Sequence, residues 1–146
     1  MTIYIGSDHR GFELKNKLLH SLKKEGIVAV DAGGFRYDQA DDYPDIAKKV
    51  ADEVLHSPLS LGIIICGSGA GVCIAANRIN GIRAVETHDP KIAKASRHDD
   101  NTNILCLGAD FISDKEAEQV VSGWLEEQFE KNERRVRRIK KLDKII

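Results

Sequence analysis

The 146-residue chain is short of long hydrophobic runs, aromatic residues and cysteine. No stretch approaches the roughly 18 apolar residues that a membrane span needs, so no membrane anchor is expected. The N-terminal MTIYIGSDHRG places charged residues straight after a short apolar run. It lacks the basic and long apolar regions of a signal peptide. The three cysteines, at 66, 73 and 106, are odd in number and have neither metal-ligand spacing nor a disulfide pattern. That favours a reduced, cytoplasmic setting and no metal site. Eight aromatic residues leave little to stack on nucleic-acid bases. There is no G-x-x-x-x-G-K, so a nucleotide P-loop is not expected. Repeats and low-complexity segments are also missing.

What is present is a composition for one domain, with 42% hydrophobic residues to fill a core. The net charge of −1 hides an asymmetry. From Lys131 onward, eight basic residues face only Glu133 and Asp143, a net +6, which leaves −7 on the first 130 residues. A basic tail on an acidic body can bind nucleic acid, a membrane or a small anion, or dock on an acidic neighbouring subunit. The acidic body argues against nucleic acid.

Strands and helices alternate along the chain. Strands are expected at Thr2–Ile5, Ile27–Asp31, Leu61–Cys66, Ile82–Glu86 and Ile104–Leu107. Apolar residues three or four apart predict helices over about 11–25 and 46–55. Shorter helices are expected up to Asn77 and over Pro90–Ser96, and a long one over Asp114–Phe129. A basic helix closes the chain, with Val136, Ile139, Leu142, Ile145 and Ile146 on one face. Five short strands alternating with helices imply an α/β fold with a parallel sheet covered on both faces. The extra helix is expected to pack on a partner subunit.

The most informative segment is LGIIICGSGAG, residues 61–71. An all-apolar run reads as a buried central strand. It ends in Cys66 and passes into Gly67, Ser68, Gly69, Ala70 and Gly71, which read as a tight turn opening a helix. Backbone N–H groups of such a turn cradle an anion, and a helix N-terminus stabilises a thiolate. The spacing is not G-x-G-x-x-G, so a dinucleotide site with Glu86 as its ribose acid is the weaker reading. Open α/β sheets bind ligands beyond the C-terminal ends of their strands. Asp8 and His9 follow the first strand there, though Asp8 could also serve as a helix cap. The polar run Arg97–Asn103 precedes the last strand. Asp41-Asp42-Tyr43-Pro44 is a helix-start turn or a site loop.

Several motifs resemble the ribose-5-phosphate isomerase B family of sugar-phosphate isomerases. Gly6-Ser7-Asp8-His9-x-Gly11-Phe12 is similar to its opening motif, and Asp42-Tyr43-Pro44 to its loop motif. Ile65-Cys66-Gly67-Ser68-Gly69-x-Gly71, followed by Ile74–Arg78 and Gly81–Ala84, resembles its most specific signature. The resemblance implies a three-layer Rossmann-like fold and metal-free, cofactor-free aldose–ketose interconversion of pentose phosphates. It also implies a homodimer, or a dimer of dimers, with a site shared between subunits. By motif, Cys66 is the base moving a proton between C1 and C2. Ser68, Asp8 and His9 handle the ring and hydroxyls, Tyr43 lines the sugar, and Gly67, Gly69, Ala70 and Gly71 meet the enediolate oxygen. A six-carbon sugar phosphate is the alternative substrate, and a non-catalytic nucleotide-binding module the alternative function.

Two segments depart from the family pattern. It reads S-R-x-H-N-D-x-N, where this chain has Ser96-Arg97-His98-Asp99-Asp100-Asn101-Thr102-Asn103. Without gaps the family's histidine falls on Asp99 and its asparagine on Asp100. With a compensated one-residue shift, His98 keeps the role. His98 is preferred for ring opening, because a carboxylate is the poorer acid near neutral pH. Near the C-terminus the pattern G-G-R-H-x-x-R-V aligns best with two residues missing, which puts Lys131 and Arg135 on the phosphate. Arg137 replaces Arg135 if there is no gap.

Overall fold

A computed structural model describes residues 1–145; Ile146, expected on the apolar face of the last helix, lies outside the described residues. Among them are five strands: β1 (Thr2–Ser7), β2 (Val28–Gly33), β3 (Leu61–Cys66), β4 (Ala84–Glu86) and β5 (Ile104–Gly108). All pair in parallel, in the order β2-β1-β3-β5-β4. The helices are α1 (Phe12–Lys24), α2 (Tyr43–His56), α3 (Ala70–Asn77), α4 (Pro90–Asp100), α5 (Asp114–Glu126) and α6 (Glu133–Leu142), with a 3₁₀ turn at His9–Gly11. Two apolar clusters cover the two sheet faces. One joins α1, α4 and α5 to Ile3, Ile5, Ile63, Ile65, Leu105 and Leu107. The other joins α2 and α3 to Ile64, Cys66, Ile104 and Cys106. The result is the expected three-layer α/β/α arrangement.

The alternation along β3 explains its reading as central. Ile63 and Ile65 face one layer, Ile64 and Cys66 the other, and all six residues are buried. From β1 the chain runs outward to β2, then crosses back to β3 on the other side of β1. Helices α1 and α3 consequently leave the sheet on opposite faces. Between the C-terminal ends of β1 and β3 lies a crevice, the usual ligand position in such sheets.

Several element ends differ from expectation. Helix α4 continues past Ser96 to Asp100, so His98, Asp99 and Asp100 are helical, not a loop. Asn101 ends it in the left-handed region at φ 50°, where Asn is tolerated better than most residues. The end is held by Ser96 Oγ and Thr102 Oγ1 at 2.9 Å, and by Trp124 Nε1–H donating to Thr102 Oγ1 at 2.9 Å. Helix α5 stops at Glu126, short of Phe129. The segment after it is anchored by the Glu130 N–H donating to the His98 carbonyl at 3.1 Å. Strand β4 starts at Ala84, not Ile82. Helix α6 starts at Glu133, capped by the Asn132 side chain, so Lys131 lies just before it.

Candidate active site

The crevice is built from two turns. At the end of β1, the Asp8 N–H donates to the Ile65 carbonyl of β3 at 3.2 Å. Asp8 Oδ1 accepts from the N–H groups of Arg10 at 3.0 Å and Gly11 at 3.1 Å. Asp8 therefore caps the 3₁₀ turn His9–Gly11 and not α1, whose own N-cap is Gly11, and it stands beside β3 as well. Burial pushes its carboxyl above the usual range, against opposing pulls from the Gly11 N–H and His9. Gly11 has no room for a side chain: a Cβ there would lie 2.7 Å from the Ile65 carbonyl oxygen.

At the end of β3 the backbone turns through Gly67 and Ser68 into α3. Gly69 has φ +80°, and its Cβ would sit 2.9 Å from the Leu107 carbonyl carbon. Glycine meets both demands. The Gly69 N–H points at Cys66 Sγ, 3.1 Å away. The Ala70 N–H reaches Ser68 Oγ at 3.3 Å, and Ser68 itself is exposed. First-turn N–H groups of a helix lack intrahelical partners, so the start of α3 presents donors at the crevice. Across the turn, the Ala109 and Asp110 N–H groups donate to the Cys66 and Gly67 carbonyls at 2.9 and 3.0 Å. The Tyr43 ring lies against the first turn of α3; a Cβ on Gly71 would be 3.0 Å from it.

Two contacts come from residues that sequence reasoning passed over. Arg10 lays its guanidinium over Gly67, 2.7 Å from where a Cβ would be, and pairs with Asp110. Asp41 Oδ1 accepts the His9 backbone N–H at 3.2 Å and lies 2.6 Å from His9 Nδ1. That hydrogen bond holds the imidazole above its ordinary pKa, with Asp8 adding to the effect. Both residues sit inside quoted motifs, DHRG and DDYP. The motifs gave no reason to prefer them over their neighbours. Asp8, His9 and Asp41 bring ligand-type atoms within 4.8 Å of one another, and a cation would find its ligands there. A cavity of about 390 Å³ opens beside Asp41 and Tyr37.

The other expected residues form a second cluster. His98 Nδ1 lies 2.8 Å from Asp99 Oδ1, and Arg135 donates to the same oxygen at 2.6 Å. Arg135 also pairs with Glu130. His98 and Arg135 hold the Asp99 carboxyl below the usual range. Asp100 and Lys131 are exposed nearby in the chain. This cluster is remote from Cys66. It precedes β5, whose first residue pairs with Gly62 and whose last pairs with Cys66, about 13 Å apart along the strand. It also lies on the other face, since α4 packs with α1 and α5 while Cys66 faces α2 and α3. Within one chain, then, Cys66, Gly67, Ser68, Gly69, Ala70, Gly71, Asp8, His9 and Tyr43 gather, and His98, Asp99, Asp100, Lys131 and Arg135 do not. A further cavity of about 660 Å³ lies away from Cys66, lined by Ile79, Ile82, Val85, Leu142 and Ile145.

The Ribose/Galactose Isomerase family model matches residues 3–142. The chain belongs to this family. Within the Ribose/Galactose Isomerase family, a probable ribose-5-phosphate isomerase B of Mycoplasma pneumoniae is 42% identical over 144 residues, covering 99% of this chain and 92% of that one. The ribose-5-phosphate isomerase B of Escherichia coli is 38% identical, covering 88% and 85%. Among solved structures, the Mycoplasma genitalium ribose-5-phosphate isomerase B with bound ribulose-5-phosphate superposes with a TM-score of 0.91 at 42% identity, covering 97% of this chain and 93% of that one. The Clostridium thermocellum ribose-5-phosphate isomerase B gives 0.94 at 39% identity, covering 99% and 97%.

Proposed function

We propose that this protein interconverts ribose 5-phosphate and ribulose 5-phosphate through an enediolate, with Cys66 carrying the proton between C1 and C2. The observation that carries the reading is a thiol at the crevice of an isomerase-family fold, with an N–H donor 3.1 Å from its sulfur and a helix N-terminus beyond. Isomerisation removes a carbon-bound proton next to a carbonyl, which needs a base on carbon and donors on the oxygen that gains charge. Cys66 supplies the first. The N–H groups from Gly67 to Gly71 supply the second, fixed in place before the charge forms. Asp8, with its raised carboxyl pKa, and Ser68 handle the sugar hydroxyls, beside His9 and Tyr43.

The closed furanose must first open, and its dianionic phosphate needs cations. His98 opens the ring, with Asp99 and Asp100 beside it, and Lys131 and Arg135 hold the phosphate. These residues lie at the wrong end and on the wrong face of their own chain, so they serve the site of a second copy. The site is thereby shared across a homodimer or a dimer of dimers. Exposed Leu142, the last residue of α6, and exposed Ile145 just beyond it support such packing. Residues 1–146 act as a single isomerase unit, with 131–146 at the interface. With three free thiols and no described helix long and apolar enough to cross a membrane, we place the protein in the reducing cytoplasm.

The test is a coupled assay with ribose 5-phosphate on the parent and on Cys66→Ala. A general base contributes about 10²- to 10⁴-fold, and survival within tenfold would remove Cys66 from that role. A relative in Pectobacterium atrosepticum is a D-erythrulose-4-phosphate isomerase at 35% identity, so substrate length varies near this chain. Erythrulose 4-phosphate and allose and galactose 6-phosphates therefore run alongside. Faster turnover of any of these would reassign the substrate. Tight binding of NAD or ATP without turnover would instead favour a nucleotide-binding module.

A further inference from the structure

One buried charge has no part in that chemistry. Lys15 sits on the apolar stripe of α1, spaced with Leu18, Leu19 and Leu22, and its side chain is wholly buried. A buried ammonium is costly unless its donors are met. Here three N–H donors are shared among four oxygens. Lys15 Nζ lies 3.0 and 2.8 Å from the two carboxylate oxygens of Asp31, 3.2 Å from the Gly33 carbonyl and 2.6 Å from the Gly34 carbonyl. The rings of Phe12 and Phe35 flank it, their centroids 5.3 and 6.0 Å from the nitrogen. Asp31 Oδ1 also accepts the Gly33 N–H at 3.2 Å. A leucine at this place would complete the stripe with no charge to desolvate. It could not hold two backbone carbonyls.

Those carbonyls belong to a segment that leads to the candidate site. Gly33 ends β2, and Gly34 opens the stretch 34–42 before α2. Gly34 has φ +71° and lies against the Ser7 carbonyl, with no room for a Cβ. Lys15 thus grips this stretch where it meets the end of β1. From there the stretch reaches His9 twice. The Tyr37 ring stands edge-on to His9 and to Phe12, at centroid distances of 6.2 and 6.1 Å. Asp41 Oδ1 takes the His9 backbone N–H and lies 2.6 Å from its ring nitrogen. Gly34, Tyr37 and Asp41 also wall the 390 Å³ cavity. We infer that Lys15 is a positioning residue: by anchoring the backbone at Gly33 and Gly34, it sets the stretch 34–42 beside the crevice and brings Asp41 to His9. What His9 does for a substrate rests on the isomerase reading; what holds His9 rests on these contacts alone.

The test follows the His9 ring by NMR titration in full-length parent, Lys15→Met and Lys15→Met/Asp31→Asn. Methionine keeps the apolar stem and loses the donors. The double variant leaves no unpaired carboxylate behind and keeps an oxygen for the Gly33 N–H, so it serves if the single variant folds poorly. The charged groups around His9 are Asp41, Asp8 and Arg10, and neither variant alters them. Loss of the Lys15 cation would by itself raise the His9 midpoint, and the double variant removes one charge of each sign. The expected result is the opposite, a fall in both variants toward the value in Asp41→Asn. Amide exchange over 34–42 should quicken about tenfold or more while β3 stays protected. In the double variant kcat/KM for ribose 5-phosphate should fall about tenfold to a hundredfold with the fold intact. A His9 midpoint that stays or rises in the folded double variant overturns the inference, whatever the loss of thermal stability. A lowered midpoint with unchanged kcat/KM overturns it too. A parent that does not turn over ribose 5-phosphate fails the isomerase reading, and the His9 titration then judges Lys15 alone.

Discussion

The two groups of candidate residues are built on different principles. Around Cys66 the geometry is carried by the backbone: a left-handed Gly69, a strand end, and N–H groups held by Asp8 and by the start of α3. Around His98 it is carried by charged side chains on α4, on α6 and between α5 and α6, with a half-buried Arg135 held between the more exposed Asp99 and Glu130. The first group is ready for a substrate. The second spends its charge on itself, with Arg135 engaged by both Asp99 and Glu130. An incoming phosphate must displace those carboxylates. Substitutions in the first group should therefore strike turnover and folding, and those of the phosphate-holding cations in the second should strike substrate affinity and leave folding alone.

The sharpest test mixes the two groups. Cys66→Ala and His98→Asn should each be nearly inactive, with kcat down about 10²- to 10⁴-fold. Unfolded together and refolded, they should recover about a quarter of parental activity, since half the dimers are mixed and each has one intact site. No recovery would place both residues in one chain's site and break the comparison. Comparing His98→Asn with Asp99→Asn then decides which residue is the acid, by the larger loss in kcat.

Next in size is Gly69→Ala. Its φ of +80° and the 2.9 Å approach to Leu107 make a methyl group costly, about 1–3 kcal/mol. Thermal unfolding should show that loss, along with slower turnover. Arg135→Ala should do the reverse, leaving thermal stability near parental while KM for the sugar phosphate rises about tenfold or more. Exposed ion pairs are worth about 0–1 kcal/mol, so little folding energy is at stake there. Arg135→Lys should recover part of the affinity, because Lys keeps the charge and loses the bidentate fork.

The smallest effect should come from Asp41→Asn. The Asp41 hydrogen bond raises the His9 pKa in the folded state, so His9 stabilises the fold fully below its unfolded value, near 6.5. That contribution fades as pH rises through the folded value. In Asp41→Asn, the His9 titration followed by NMR should move down, and this part of the pH dependence should vanish. An unchanged midpoint would mean that Asp41 does not hold His9.

Much of this was visible before any fold was known. The unbroken apolar run before Cys66 and the glycines after it required a buried strand, a turn and a helix start in that order. Asp8 was visible as a cap and as a residue beyond a strand end, and the structure makes it both. His98 was misplaced locally because Asp99, Asp100 and Asn101 are weak helix formers and read as a loop. Thr102, held by Ser96 and Trp124, keeps the last turn of α4 helical. Trp124 is 22 residues further on, beyond any local signal. Arg10 and Asp41 were missed for a similar reason: their partners, Asp110 and His9, are 100 and 32 residues away in sequence.

By itself the sequence determined the alternation of strands and helices and the thiol at the head of a glycine turn. Those features depend on side-chain period and backbone freedom, which act over a few residues. Only the tertiary structure decided the strand order β2-β1-β3-β5-β4. That order sets Asp8 beside Cys66 and puts the His98 cluster at the far end of the sheet, on the opposite face. Which strands pair is settled by burying apolar faces far apart in sequence. No local pattern encodes that choice.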